Sequence, residues 1–469
     1  MNGADVKLSS QQDPDPVIRD TTESYWGILG YWLPETISFG MLVALPMIID
    51  PLIVANLKST TTYAALAVTT WFIHLIIKLA EAIPVASIAI IGRHNAAHEF
   101  EDCGKRLGDT FWTTFIIGTS FAAFFFFFAK NIYQFLGVSN ELIAIGVPYL
   151  RLQAASIPMI FIFMTLIGFM KAVKNTKVPM YINVTGICVF FFFDYALILG
   201  KFGFPQMRLM GAGVATMIRY SLMLVLAFWY LLKIPRYRKY FRQVFFSYFK
   251  LSEVKRLLNL SWPIMLDKAS IAITYIMLGK MIAPIGTIAL ASMDVLKNME
   301  RFMLIPTLAF AQIVTFLVSN SMGAHDYQGA KNNIKRVYIL ASFFFALILL
   351  VPWLKTAFVV GLFDKENTLR SFVAPLMGPI STLAFLDMSQ IILAGGLRGA
   401  GDVHSVMKNR LVICFLILAP ALFLFRYLDF KPDWVAFSLV YVSFYAATGI
   451  MALRFLSRIR GNRWHKAKI

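Results

Sequence analysis

The chain has 469 residues, of which 58% are hydrophobic, carries a net charge of +19, and has a mean hydropathy of +0.68. A soluble protein of this length does not bury so much apolar surface, so composition excludes a soluble domain and predicts a polytopic membrane protein. The three cysteines are scattered and odd in number, which indicates neither a disulfide framework nor a metal cage. No GxxxxGK[ST] loop occurs in the sequence, so we expect that the chain does not use ATP itself.

The positive charge follows the predicted topology. Most Lys and Arg residues fall in alternate loops and in the two tails, which the positive-inside rule places in the cytoplasm. They are spread over several segments, which argues against a surface for RNA or DNA. We predict a multi-pass protein of a bacterial inner membrane with both termini in the cytoplasm.

Hydrophobic runs in chain order predict an all-α protein with twelve transmembrane helices. Residues 1–24 are polar and predict a disordered cytoplasmic tail, and residues 25–232 predict a first six-helix bundle. Residues 233–258 are basic and aromatic, which is typical of an amphipathic linker on the anionic cytoplasmic leaflet. Residues 259–455 predict a second six-helix bundle, and residues 456–469 a basic cytoplasmic tail.

The first half of the chain recurs in the second half at an offset of 227 positions. The segment Ala97–Phe100 (AHEF) returns as Ala324–Tyr327 (AHDY), and Pro148 returns as Pro375. Two homologous hydrophobic halves predict two pseudo-symmetric bundles around a shared midplane site, which is a transporter architecture. The repeated His–acid pairs would also suit a membrane-embedded enzyme. Their repetition at matching loop ends favours a structural turn, so we predict no enzyme and no cofactor.

Four carboxylates lie at predicted membrane depth, where an ionised group is costly unless it is paired or hydrated. These candidates for cation or proton coupling are Asp387, Asp50, Asp194 and Asp267. Oxygen ligands suit Na⁺, and apolar surroundings favour a neutral carboxyl group and so suit H⁺, which leaves both ions open. We predict Na⁺ sites at Asp387 and at Asp50, where Pro51 would break the helix ladder. The alternative for each acid is an ion pair or hydrogen bond that fixes helix packing.

A second group of polar residues is predicted to line the substrate cavity or to act in gating. Its members are Gln390, Lys78, Glu81, Asp294, Lys297 and Glu300. Lys78 and Glu81, like Lys297 and Glu300, are three residues apart, so opposite charges can neutralise each other within one helix. Packing, gating and direct ion coupling are all open to this group.

The predicted tenth helix carries the most specific motif. Asp387, Gln390 and the run Gly396–Asp402 (GLRGAGD) match a pattern of acid, glutamine and LRGxGD. Two further features support the same pattern. One is a proline-containing helix at Pro306, and the other is a helix that begins with small residues at Gly211–Met217. With these features the chain resembles the multidrug and toxic compound extrusion (MATE) family over essentially its whole length. The structural motif residues are Arg398, Gly399, Asp402, Pro51 and Pro306.

The resemblance implies a secondary active multidrug efflux antiporter. It would exchange cationic amphipathic compounds for Na⁺ or H⁺ by alternating access. Asp387 would be the second-half cation-site carboxylate of NorM-like members, Asp50 the helix 1 carboxylate, and Asp194 the helix 5 acid of the DinF-like branch. The alternative is a lipid-linked oligosaccharide flippase of the same superfamily. Expected partners are small molecules and membrane lipids, without nucleic acid or an obligate protein partner.

Overall fold

A computed structural model describes residues 20–240, 249–361, 369–428, 431–461 and 464–466. Within these ranges the chain is helical and forms no strand. The principal helices are α1 Tyr25–Phe39, α2 Leu45–Ala55, α3 Thr60–Ala80, α4 Ala82–Ala96, α5 Phe100–Phe135, α6 Asn140–Ala172, α7 Lys177–Leu199, α8 Leu209–Lys233, α9 Leu251–Ile282, α10 Thr287–Gly323, α11 Tyr327–Leu354, α12 Thr356–Gly361, α13 Arg370–Gly399, α14 Val403–Leu411, α15 Ala419–Leu428 and α16 Asp433–Arg460.

Ten helical segments in the described part of the chain are long and apolar enough to cross a membrane. Two further crossings are interrupted helices, α1–α2 and α3–α4, which completes the predicted twelve-helix, all-α architecture. We call α1–α8 the N-lobe and α9–α16 the C-lobe.

The first crossing contains an irregular turn that the sequence did not predict. Helix α2 runs through Asp50 and Pro51, whereas a π-helical turn occupies Gly40–Ala44. Pro46 lacks the N–H group that would bond the carbonyl of Leu42 one turn earlier. The ladder is therefore already open before α2 reaches Pro51. The side chain of Pro51 lies outside the described part of the structure.

The two lobes repeat each other at the predicted offset. His98 and His325 both adopt a left-handed backbone, with φ of 62° and 57°, and so do Lys174 and Gly401, with φ of 61° and 79°. Helix ends match as well: α4 and α10 end at Ala96 and Gly323, and α6 and α13 end at Ala172 and Gly399. The His–acid segments are thus equivalent turns. We call the face that carries these four turns the basic face.

The lobes are joined at the basic face by hydrogen bonds from α10. The Asn320 amide donates to the carbonyl of Ala172 at 3.0 Å, and the Ser319 hydroxyl donates to that of Ala89 at 2.9 Å. Arg93 returns a bond from the N-lobe to the carbonyl of Ala400 at 2.6 Å. These contacts close the basic face between the lobes.

Residues 20–24, at the end of the predicted N-terminal tail, add a further connection. The backbone N–H and the hydroxyl of Thr21 each donate to Asp326 at 2.8 Å in the C-lobe. Glu23 accepts from Lys174 of the N-lobe at 3.4 Å. Residues 1–19 of the tail lie outside the described residues, as do residues 241–248 of the predicted linker.

We expect Gly323→Ala to loosen the closed basic face. A Cβ atom at Gly323 would collide with the backbone carbonyl of Arg93, which has no flexible end that can yield. The expected result is faster deuterium uptake in peptides covering residues 88–97 and 319–326, measured by mass spectrometry on the purified protein. Gly361→Ala is the matched control, because its Cβ would meet open space. Equal uptake in the two variants would contradict the closure described above.

Candidate ion and substrate sites

Two of the predicted carboxylates meet inside the N-lobe. Asp50 on α2 and Asp194 on α7 lie close enough for their carboxyl groups to interact directly. Asp194 is 0% exposed, and neither of its carboxylate oxygens has a hydrogen-bond partner among the described residues. One oxygen of Asp50 is likewise without a partner there. Because a buried carboxylate without donors is costly, these two residues could hold a cation or a proton.

Arg219 on α8 is a cation beside this pair that the sequence analysis missed. It is 4% exposed and interacts electrostatically with Asp50. Its guanidinium lies 5.4 Å from the ring centre of Phe190 and 5.2 Å from that of Tyr220. Cation–π contacts with these rings therefore stabilise its positive charge. Lys78 and Lys297 were the basic residues predicted to line the cavity, and Arg219 was not among them. A charged residue within the hydrophobic run of the sixth crossing was the signal that would have identified it.

The N-lobe pair borders a small cavity. Asp50 and Arg219 line it together with Tyr149 and Gln153 of α6, and its volume is about 190 Å³. The Gln153 amide donates to the Tyr149 hydroxyl at 2.9 Å, which orients both side chains. Pockets for drug-sized ligands usually measure about 300–1,000 Å³. This cavity therefore suits an ion with a few waters better than a drug-sized molecule.

In the C-lobe the other two predicted acids belong to one hydrogen-bonded chain. Asp387 on α13 accepts from the Gln390 amide at 2.9 Å, and the Gln390 carbonyl accepts from Arg410 on α14 at 2.9 Å. Arg410 and Arg398 both donate to Asp267 on α9, one to each carboxylate oxygen. Three helices are thus tied together by alternating acidic, neutral and basic groups.

The two C-lobe acids differ in what their oxygens contact. Asp267 is 1% exposed and has both oxygens occupied by guanidinium groups, which matches the ion-pair alternative stated for it above. Asp387 accepts from the neutral Gln390 and lines a cavity, formed by both lobes, that is larger than the one beside the N-lobe pair. Asp387 is consequently the C-lobe carboxylate that a mobile cation can reach.

This larger cavity has a volume of about 520 Å³, within the range of small-molecule sites. Apolar side chains such as Leu304, Ile391 and Phe444 form much of its wall. Polar and charged groups, Asp387 and Gln390 among them, interrupt that wall. Its size and mixed lining fit an amphipathic small molecule.

The structure gives each predicted gating glutamate a partner on another helix. Glu81, between α3 and α4, accepts from Lys268 of the C-lobe, and Glu300 on α10 accepts from the Tyr445 hydroxyl of α16. These neighbouring helices supply donors that a helical spacing of three residues does not reveal. The Glu81–Lys268 pair crosses the lobe boundary, which places it where a gate would act.

The remaining members of that predicted group are scattered. Lys297 lies over the ring of Tyr275, 5.0 Å from its centre, and among the described residues no ion pair joins it to Glu300. Asp294 is exposed. The side chain of Lys78 lies outside the described part of the structure.

The motif residues of α13 and α10 mainly contribute to helix packing. A Cβ atom at Gly399 would collide with the carbonyl of Thr315 on α10, so glycine allows the two helices to approach. Asp402 accepts from Arg458 at 2.8 Å, which ties the turn after α13 to α16. The carbonyl of Pro306 accepts from the Trp32 indole at 3.3 Å. Arg398 is different, since it belongs to the ion pair with Asp267.

Comparison with known proteins identifies the family. The MatE family model matches residues 37–196 and 263–425, which covers both lobes. The chain belongs to the MATE family. The resemblance seen in the sequence motif around Asp387 is therefore confirmed.

Named relatives of this MATE protein are bacterial multidrug resistance proteins. NorM of Photobacterium profundum is 24% identical over 393 residues, which cover 82% of this chain and 83% of that protein. The probable NorM of Photorhabdus laumondii is 25% identical over 302 residues, and this match spans 65% of its length, slightly under two thirds.

Solved MATE structures share the fold. A MATE family transporter of the MOP superfamily, in an outward-facing conformation, has a TM-score of 0.82 at 15% identity and covers 98% of this chain and 100% of that chain. A variant of the Vibrio cholerae transporter VcmN has a TM-score of 0.84 at 16% identity, with 94% and 98% covered. At these identities the likeness establishes the two-lobed membrane fold.

Proposed function

We propose that this MATE family chain is a secondary active multidrug efflux antiporter that exchanges amphipathic compounds for Na⁺ or H⁺ by alternating access. The multidrug resistance names of its relatives support the transported class. The observation that carries the coupling is Asp194, which is completely buried beside Asp50 with no hydrogen-bond partner among the described residues. A site of this kind is built to take up positive charge.

The coupling step follows from the neighbours of this pair. With both carboxylates ionised, Arg219 is the nearest compensating cation and one negative charge stays uncompensated. A Na⁺ ion or a proton at Asp50 and Asp194 would remove that charge and weaken the attraction of α2 for Arg219 on α8. The affinity of this site for the ion therefore differs between the two arrangements of the lobes, and ion binding shifts the equilibrium toward the arrangement with the higher affinity. Asp387 would provide the second cation site, in the C-lobe.

The substrate would bind in the larger cavity. Asp387 supplies negative charge for the cationic group of an amphipathic compound, while the apolar wall contacts the rest of the molecule. Loading from the cytoplasm would require the lobes to part at the basic face and to meet on the other side. In keeping with the charge distribution, we place the basic face and both termini in the cytoplasm of a bacterial inner membrane.

The test is transport of ethidium, a fluorescent cation, by the purified full-length protein in liposomes. A Na⁺ gradient and a pH gradient are imposed separately, with the membrane potential clamped. We expect gradient-driven ethidium transport under one of the two conditions, which identifies the ion, and we expect Asp387→Asn to reduce it strongly. Liposomes without protein provide the background.

A flippase would give the opposite pattern. Absence of ethidium transport under both gradients, together with scrambling of a fluorescent lipid by the same liposomes, would overturn the antiporter proposal. The acidic pair in the N-lobe favours the antiporter, because a lipid pyrophosphate would be repelled by carboxylates that lack donors.

A further inference from the structure

The larger cavity holds more positive than negative charge. Four cationic side chains line it: Lys268, Arg301, Arg398 and Arg410. Three carboxylates face these cations: Glu81 and Asp387 in the wall, and Asp267 behind two of the arginines. Even with every acid ionised, the cavity carries one positive charge in excess. A cavity for purely cationic compounds would not be expected to have this balance.

The excess can be assigned to one residue. Lys268 is paired with Glu81, Arg398 and Arg410 both donate to Asp267, and Arg410 is also linked through Gln390 to Asp387, which balances its remaining charge. Arg301 on α10 is exposed to the cavity and makes no hydrogen bond or ion pair to any residue that the structure describes. It is the cation in the wall whose guanidinium group is available to a ligand.

Arg301 lies in the middle part of a helix that is long and apolar enough to cross a membrane. It lies fourteen residues into α10, which begins at Thr287 and ends at Gly323. At about 1.5 Å per residue it is roughly 21 Å from the start of the helix, where we expect membrane depth. A charged side chain at that depth costs several kcal/mol unless it lines a polar cavity or meets a partner. Retaining an unpaired arginine there is consistent with ligand binding.

We propose that the larger cavity contains a subsite for the anionic group of an amphipathic substrate, such as a carboxylate or sulfonate. Arg301 is the residue that binds this group. A guanidinium group binds such anions through two parallel hydrogen bonds. The apolar wall formed by Leu304, Ile391 and Phe444 accommodates the rest of the molecule. Because Asp387 offers a cation site in the same cavity, the substrates best matched to it are zwitterionic amphipaths. The use of this subsite in transport rests on the proposed function, whereas binding itself does not.

Binding is tested with two probes that share one ring system and differ in charge. Purified full-length protein in an uncharged maltoside detergent is titrated calorimetrically with 2-naphthoate and with the neutral 2-naphthylmethanol. We expect the wild type to bind naphthoate more tightly than naphthylmethanol. Arg301→Gln should weaken naphthoate binding about tenfold or more, as loss of a charge-assisted hydrogen bond predicts, and leave naphthylmethanol binding unchanged. Arg301→Lys should restore part of the loss because it retains the charge.

Arg454→Gln is the matched control, since this exposed arginine on α16 lies outside the cavity wall. Equal naphthoate affinity for wild type and Arg301→Gln would overturn the subsite, and so would equal losses in Arg301→Gln and Arg454→Gln. The ethidium experiment separates this result from the proposed function. Naphthoate binding through Arg301 without ethidium transport refutes the cation antiporter alone, and ethidium transport without naphthoate selectivity refutes the anionic subsite alone.

Discussion

Replacing Asp194 with asparagine is expected to abolish ion-driven efflux while leaving the protein folded. Asp194 is completely buried beside Asp50, and its two oxygens have no hydrogen-bond partner among the described residues. Asparagine has nearly the same shape but takes up neither a proton nor, with comparable affinity, a sodium ion. Coupling free energies between two bound species are typically about 1–3 kcal/mol. Their loss should lower the gradient-driven accumulation ratio of ethidium about 5- to 150-fold.

The same substitution should not lower stability. An asparagine amide supplies a donor to Asp50, whose buried oxygen lacks one, and it removes the repulsion between two carboxylates. The melting temperature in detergent is therefore expected to equal or exceed that of the wild type. Asp433→Asn, in an exposed first turn of α16, is the control and should transport normally. Wild-type accumulation by Asp194→Asn would remove the N-lobe pair from the coupling mechanism.

Replacing Asp267 with asparagine is expected to destabilise the C-lobe severely. Asp267 is 1% exposed and accepts from both Arg398 and Arg410, and Arg410 is itself 4% exposed. Asparagine would leave two guanidinium groups without their counter-charge, one of them buried. Removing one partner of a buried ion pair typically costs about 3–5 kcal/mol in the free energy of unfolding. The measurement is unfolding of the purified protein in mixed micelles, monitored by intrinsic fluorescence.

A double-mutant cycle distinguishes this ion pair from a general packing defect. Arg410→Gln removes the buried cation, so the double variant Asp267→Asn, Arg410→Gln should lose less stability than the sum of the single variants. The expected difference is about 0.5–3 kcal/mol, the usual range for side chains in contact. Asp294→Asn, an exposed acid on α10, is the control and should unfold like the wild type. Strict additivity, or a stable Asp267→Asn, would contradict the assigned pairing.

The sequence anticipated the architecture well because its signals are local and repeated. Hydrophobic runs predict spans of about the right length, and the recurrence of Ala97–Phe100 at Ala324–Tyr327 predicts the pseudo-symmetry that appears in the turns at His98 and His325. The irregular turn in the first crossing was less predictable. Pro51 was the predicted break, and the structure adds a π-helical turn at Gly40–Ala44.

The candidate site was predicted residue by residue but not in its pairing. Membrane depth alone identified Asp50, Asp194, Asp267 and Asp387, because an ionised acid at that depth is costly unless it is paired or hydrated. The basic partners were missed: Arg219 stands 169 positions after Asp50, and Arg410 stands 143 positions after Asp267. In the same way the pairing of Glu81 with Lys268 across the lobes was not predicted.

The sequence by itself determined that this is a two-lobed helical membrane protein with acids buried in each lobe. Burial of apolar side chains depends on composition and periodicity, which a linear chain displays directly. Only the tertiary structure decided which acids keep unsatisfied oxygens and which are neutralised. Electrostatic energy depends on distances between helices that are remote in sequence, so only the structure shows Asp194 as an acid without donors among the described residues and Asp267 as half of an ion pair.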